Sequence, residues 1–133
     1  MGLTHVDLAI ANPASPEREA PLQLLVDSGA AYSVVPSAIL DDLGIRSTGQ
    51  RRFVLADGTE IIRRTGVALF RFRGEEGGST VIFGEKGDAM LLGIVTLEEL
   101  GLILDPVRRE LRPMPMTLVS VATRSVPPSA RAA

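Results

Sequence analysis

The sequence predicts a mostly β, single-lobe fold with one or two short helices. Three observations lead there. Short apolar runs, several with period-two alternation, are bounded by Gly, Pro, Asn and Asp clusters, the pattern of strands joined by turns. An Asp57-Gly58 pair sits between two extended segments, a hairpin signature. At 133 residues the chain is long enough for one domain with a real core and too short for two such lobes.

Residues 3–11 are apolar-rich, with Val6, Leu8 and Ile10 on one face, and read as the first strand. Residues 12–16 read as a loop, and Glu17, Arg18 and Glu19 as solvated. Residues 21–26 return as a strand that makes a hairpin with the first. Residues 36–44 read as a short helix, with Pro36 in its first turn, Ile39, Leu40 and Leu43 on its apolar face, and Gly44 ending it in a left-handed conformation. Asp41 and Asp42 lie at the wrong end of the helix dipole and are expected in solvent. Residues 53–62 form the Asp-Gly hairpin, 66–73 a long strand, 74–78 a turn and 80–83 another strand. After the charged loop 85–88 comes a second continuous apolar run, 89–95. Thr96-Leu97-Glu98-Glu99 then has capping-box spacing, which predicts a helix capped by Thr96 and ended by Gly101. Residues 102–104 and 110–112 read as strands around an Asp105-Pro106 turn. From about residue 120 the pattern is lost, so a domain over 1–119 and a disordered tail over 120–133 are expected.

The chain is organised around Leu24-Leu25-Val26-Asp27-Ser28-Gly29-Ala30, followed by Ser33-Val34-Val35. An apolar strand delivers one carboxylate and breaks at Ser28-Gly29. Asp, Ser and Gly are ordinary turn formers. A carboxylate at the end of a buried strand is nevertheless costly unless it is hydrogen-bonded or put to use.

Composition limits the chemistry. Apolar residues make up 45% and charged residues 23%, ordinary for a globular protein. Net charge is −2, from 14 basic and 16 acidic residues, which argues against a nucleic-acid surface. There is no cysteine, so thiol nucleophiles, disulfides and zinc-thiolate sites are excluded. His5 is the only histidine, which excludes a His-cluster metal site and leaves a Ser-His-Asp triad only a residue near the N-terminus. No cofactor or metal is expected. No apolar run has the length of a membrane span, and no basic-then-apolar leader is visible, so a cytoplasmic protein is expected. Chemistry falls to carboxylates, hydroxyls and backbone.

Several segments in order carry a resemblance. They are Leu25-Val26-Asp27-Ser28-Gly29-Ala30, Leu55-Ala56-Asp57-Gly58-Thr59, and the run from Gly84 through Leu91-Leu92-Gly93-Ile94-Val95 to Glu98. Leu100-Gly101-Leu102, Asp105-Pro106 and Leu111-Arg112-Pro113 continue it. From about residue 3 to 116 the chain resembles small prokaryotic retroviral-like (clan AA, retropepsin-type) aspartic proteases. The resemblance implies a closed β-barrel lobe, a homodimer and a peptide or protein substrate. It implies Asp27 as the catalytic carboxylate, paired with its copy across a two-fold axis. Ser28 resembles the residue whose hydroxyl bonds across the dimer, Gly29 the one that lets backbone approach the carboxylates, and Ala30 continues that loop. Ser33 resembles a supporting hydroxyl behind the loop. The Ala56-Asp57-Gly58 hairpin stands where such enzymes carry the flap over substrate, and Leu92-Gly93 where they turn out of the second apolar run. The viral enzymes follow that glycine with Arg and Asp or Asn, whereas Ile94-Val95 stand here.

The competing readings are a non-catalytic dimerisation or peptide-binding module on the same fold, and a hydrolase using Ser28 as nucleophile. The position of the sole histidine in the first strand disfavours the second of these.

Overall fold

The structure, a computed structural model, describes residues 4–115. The tail expected over 120–133 lies outside the described residues. Strands β1 (Thr4–Asn12) and β2 (Ser15–Val26) form an antiparallel hairpin in which Leu8 faces Leu22 and Val6 faces Leu24. After the Asp27 loop come β3 (Ser33–Pro36), helix α1 (Ser37–Asp42), β4 (Gly49–Val54), β5 (Glu60–Phe72) and β6 (Glu75–Gly84). Then follow β7 (Leu91–Leu92), helix α2 (Ile94–Glu99), β8 (Leu102–Asp105) and β9 (Glu110–Pro113).

Neighbours run β1-β2-β7-β3-β6-β5, and β5 returns to β1 through Ala9↔Arg71, Ile10↔Phe70 and Ala11↔Leu69. The ring therefore closes, and the expected mostly β lobe with two short helices is what the chain forms. Two of its joints are parallel, β2–β7 and β3–β6, and they bring the ends of β2 and β3 beside residues 91–92 and 81–84. Strand β4 stays outside the ring, paired only with the first half of β5. Inside, Ile10, Leu24, Phe70, Val81, Phe83 and Leu92 are fully or almost fully buried. Strand alternation supplies them: Ala68, Phe70 and Phe72 point inward from β5 while Val67 points out.

Both helices end as the glycines predict. Gly44 (φ 77°) donates to the Asp41 carbonyl and Ile45 to that of Leu40, with Leu40 and Ile45 in the core, a Schellman closure. Gly101 (φ 69°) does the same for α2 through the Glu98 carbonyl. Asn12 Nδ2 donates to the Leu43 carbonyl at 2.9 Å and Arg18 Nη2 to that of Asp42 at 2.7 Å. The α1 C-terminus thus gains a cation and two further donors.

Two expectations are corrected. The loop expected over 12–16 is confined to Pro13-Ala14, and strand β2 begins at Ser15 rather than at residue 21, because the pairing with β1 runs on through Ala11↔Glu19 to Asn12↔Ser15. The charged side chains of Glu17, Arg18 and Glu19 do face solvent. The turn expected over 74–78 is confined to Arg73-Gly74, and Gly77 and Gly78 lie within β6. A Cβ on Gly77 would sit 2.9 Å from the Glu99 carbonyl oxygen, so this glycine admits the end of α2 against the sheet rather than a bend.

Candidate active site

Asp27 is the first residue beyond β2, and the ring decides where it goes. Its N–H donates to the Leu92 carbonyl at 3.1 Å, extending the β2–β7 ladder by one bond. Its carboxylate Oδ1 accepts the Gly29 N–H at 2.8 Å, and its carbonyl accepts the Ala30 N–H at 3.1 Å. The side chain is half-buried, with Oδ1 bonded to backbone.

The loop rests on α2. The Ile94 N–H donates to the Ala30 carbonyl at 2.9 Å and the Val95 N–H to the Ala31 carbonyl at 3.0 Å. Helix N–H groups without intrahelical partners are thereby satisfied by loop carbonyls. Gly93 stands at the contact, where a Cβ would lie 2.6 Å from the Tyr32 carbonyl carbon and 2.7 Å from the Ala31 oxygen. No side chain fits there.

The capping box expected at Thr96 does not form. Helix α2 starts at Ile94 with Gly93 before it and carries no side-chain cap. Thr96 is fully buried, and its Oγ1 lies 2.6 Å from Ser33 Oγ and 2.9 Å from Ser79 Oγ. Ser33 Oγ also accepts the Gly93 N–H at 2.9 Å, and the Ser79 hydroxyl donates to the Thr80 carbonyl at 3.3 Å. With Ser79's proton so used, Thr96 donates to Ser79 and Ser33 donates to Thr96. Every hydroxyl in this buried row gives one proton and accepts one, which is the condition for burying them without penalty.

Above the loop, β4 and β5 form the expected hairpin. Leu55 and Thr59 close it with a 2.7 Å bond, and Asp57 Oδ1 accepts the Thr59 N–H at 2.9 Å. Hydrogen bonds from Thr59 hold the Asp57 carboxyl below the usual carboxylate range. A groove of about 480 Å³ lies between hairpin and loop. Gly29, Ala30, Val34, Phe53, Leu55 and Leu91 are among its walls. Ala56, Asp57 and Gly58 form the hairpin tip and do not line this groove. Neither Asp27 nor Ser28 lines it; Ser28 lines a second, largely apolar groove of about 340 Å³ with Ile94, Leu97, Leu102, Ile103 and Leu104.

Among the residues lining the groove, Arg63 grips Asp88 with two bonds, Nε to Oδ2 at 2.7 Å and Nη2 to Oδ1 at 2.9 Å. Asp88 Oδ2 also accepts the Glu85 N–H at 2.8 Å. The Arg63 guanidinium, ahead of that backbone bond, holds the Asp88 carboxyl below its ordinary range. A carboxyl lowered by folding stabilises the fold at pH values above its unfolded pKa, about 3.9, and loses that contribution as pH falls through the lower folded value. The stability difference between wild type and Asp88→Asn is therefore expected to be full near neutral pH and to shrink below about pH 4. Thermal melts across that range check it; a difference independent of pH would mean that the Arg63 pair contributes nothing.

The ring thus brings Asp27, Gly29, Ala30, Ser33, Leu92 and Gly93 into one unit. Sequence reasoning missed Thr96, Ser79, Tyr32, Arg51, Arg63 and Asp88. One signal was available: counting outward from Asp57 pairs Phe53 with Ile61 and Arg51 with Arg63, as the hairpin register has it.

A closed β lobe whose Asp-Ser-Gly loop is seated on a short helix beneath a hairpin is the architecture of the retropepsin-like aspartic proteases. Residues 18–99 match the family described as gag-polyprotein putative aspartyl protease, and the chain belongs to that family. No curated protein sequence matches the chain significantly. Among solved structures, the foamy viral protease–reverse transcriptase in complex with an RNA/DNA hybrid is similar over 87% of this chain, with TM-score 0.53 and 13% identity. The chain spans 13% of that protein. The simian foamy virus (mac) protease aligns over 70% of this chain and 92% of its own, with 22% identity and TM-score 0.47. A retropepsin-like aspartic protease from Rickettsia conorii aligns over 79% and 89%, with 17% identity and TM-score 0.46. Among the described residues no helix is long and apolar enough to cross a membrane.

Proposed function

We propose that the protein is an aspartic endopeptidase that works as a homodimer, each subunit giving one Asp27. The carrying observation is the Asp27 carboxylate, fixed by the Gly29 N–H on a loop that cannot shift without uncapping α2. Two such carboxylates side by side share one proton, since like charges at short range resist joint ionisation. The ionised one takes a proton from water as its oxygen attacks the peptide carbonyl carbon. The protonated one gives its proton to the carbonyl oxygen. The C–N bond then breaks as a proton passes to the leaving amine. Ser28 and Gly29 complete the loop, Ala30 and Ser33 anchor it, Leu92 and Gly93 receive it, and the hairpin around Ala56, Asp57 and Gly58 closes over the peptide.

The apolar groove beside Ser28 supports the dimer. Ile94 is 38% and Ile103 50% exposed there, at the loop that must meet its copy. Ile94-Val95 stand where the viral enzymes carry charged residues, so the contact is expected to lack the salt bridge those residues would form. Cleavage of an unfolded protein, inhibited by pepstatin-like compounds, tests the activity. Specific activity is expected to fall on dilution through the dimer dissociation range. Full activity from a species that sediments as a monomer would overturn the shared site, and peptide binding without cleavage would leave a binding module.

A further inference from the structure

We propose that Arg51, with the Tyr32 hydroxyl, forms a subsite for a carboxylate of the bound peptide. This deepens the peptidase reading and rests on it for what the groove holds. Partners across an antiparallel pair share a face of the sheet. Phe53 faces Ile61 and Arg51 faces Arg63, and Phe53, Ile61 and Arg63 all line the groove. Strand periodicity therefore sends Arg51 out on the groove side too. Like charges directly opposite on a sheet repel. Here only one counter-ion is supplied: Asp88 takes Arg63 through both its oxygens. Glu60 pairs with Arg52, on the other face of β4. Among the described residues Arg51 has no carboxylate partner.

Arg51 instead reaches down to Tyr32, where the Asp27 loop leaves for β3. It donates to the Tyr32 hydroxyl and lies 4.9 Å over the ring. A phenol fixes the guanidinium but does not neutralise it. A guanidinium has five donors in a planar fork that matches a carboxylate. The groove is otherwise largely apolar, with Val34, Leu55 and Leu91 in its walls. Its occupant is thus an extended peptide with apolar side chains in the groove and a carboxylate at the Tyr32 end. An acidic side chain and a free C-terminus share that chemistry.

The test uses matched peptides differing only by Glu against Gln at each position around the cleaved bond, with amidated ends. Neutral peptides with free and amidated C-termini form the second arm. One position, or the free C-terminus, is expected to raise kcat/KM about fivefold, the scale of an exposed ion pair, and less at high salt. Arg51→Gln is expected to bring that ratio to one, and Arg51→Glu to invert it toward a Lys peptide, whereas Arg52→Gln leaves it unchanged. Equal use of every pair by wild type, or a preference that survives Arg51→Gln, would overturn the subsite while leaving the peptidase standing. If wild type cleaves no peptide, the peptidase reading falls instead. The subsite is then judged by binding of the same pairs, and equal affinity or no binding overturns it.

Discussion

Asp27→Asn is expected to lower peptidase activity by at least 10²–10⁴-fold, roughly the contribution of a positioned acid–base group, with fold and dimer unchanged. The amide has nearly the volume of the carboxyl, and its oxygen still accepts the Gly29 N–H that fixes Oδ1 now. In the proposed mechanism, what is lost is the proton shared between two carboxylates. Cleavage rates measured beside thermal melts and sedimentation separate loss of chemistry from loss of structure. Activity within tenfold of wild type, in a preparation free of other peptidases, would remove Asp27 from the mechanism.

Thr96→Val is expected to destabilise the protein by about 2–4 kcal/mol, since Ser33 loses its acceptor and Ser79 its donor, at about 1–3 kcal/mol for each buried group left unmatched. That is a large part of an ordinary domain's margin of about 5–15 kcal/mol. Valine fills the same space, so a cavity is not the cause. Thr96→Ser keeps the hydroxyl and is expected to cost only the lost methyl, about 1 kcal/mol. Denaturant unfolding of the two variants separates hydrogen bonding from packing. Equal losses in both would show that the hydroxyl row adds nothing beyond its contacts.

Much of this site was legible because its signals are local. An apolar strand that stops at Asp27-Ser28-Gly29, an Asp57-Gly58 turn, and glycines closing two helices are each decided within a few residues. Thr96 shows where that ends. Thr-x-x-Glu is a sound local cap, but the loop carbonyls of Ala30 and Ala31 satisfy the helix first, and the hydroxyl turns inward to Ser33 and Ser79. Gly77 misleads for a related reason: its missing side chain makes room for the end of a helix, at Glu99, 22 residues later. Arg63 and Asp88 are unremarkable apart in the sequence, and only the position of the 85–88 loop makes them a pair. Charge alone gave no hint of which arginine on the hairpin would be neutralised.

The row of hydroxyls also sets an order of events in folding. Ser33 and Thr96 are 63 positions apart in sequence, and the Gly93 N–H that Ser33 accepts is 60 from it. Closing such a span costs entropy that grows as about 3/2 RT ln n, and contacts of this separation form slowly. A nascent chain that has emerged only through β6 already carries the Asp27 loop and the β3–β6 pairing, but not the Leu92 carbonyl, the Gly93 N–H or the α2 N–H groups that the loop bonds to. The Asp27 N–H and the Ala30 and Ala31 carbonyls find their partners only when residues 91–96 arrive, so a ribosome-bound or truncated chain lacking them carries the Asp27 loop without its seat. Placing the seat of the loop near the end of the lobe thus delays the loop's final support until synthesis of the lobe is nearly complete.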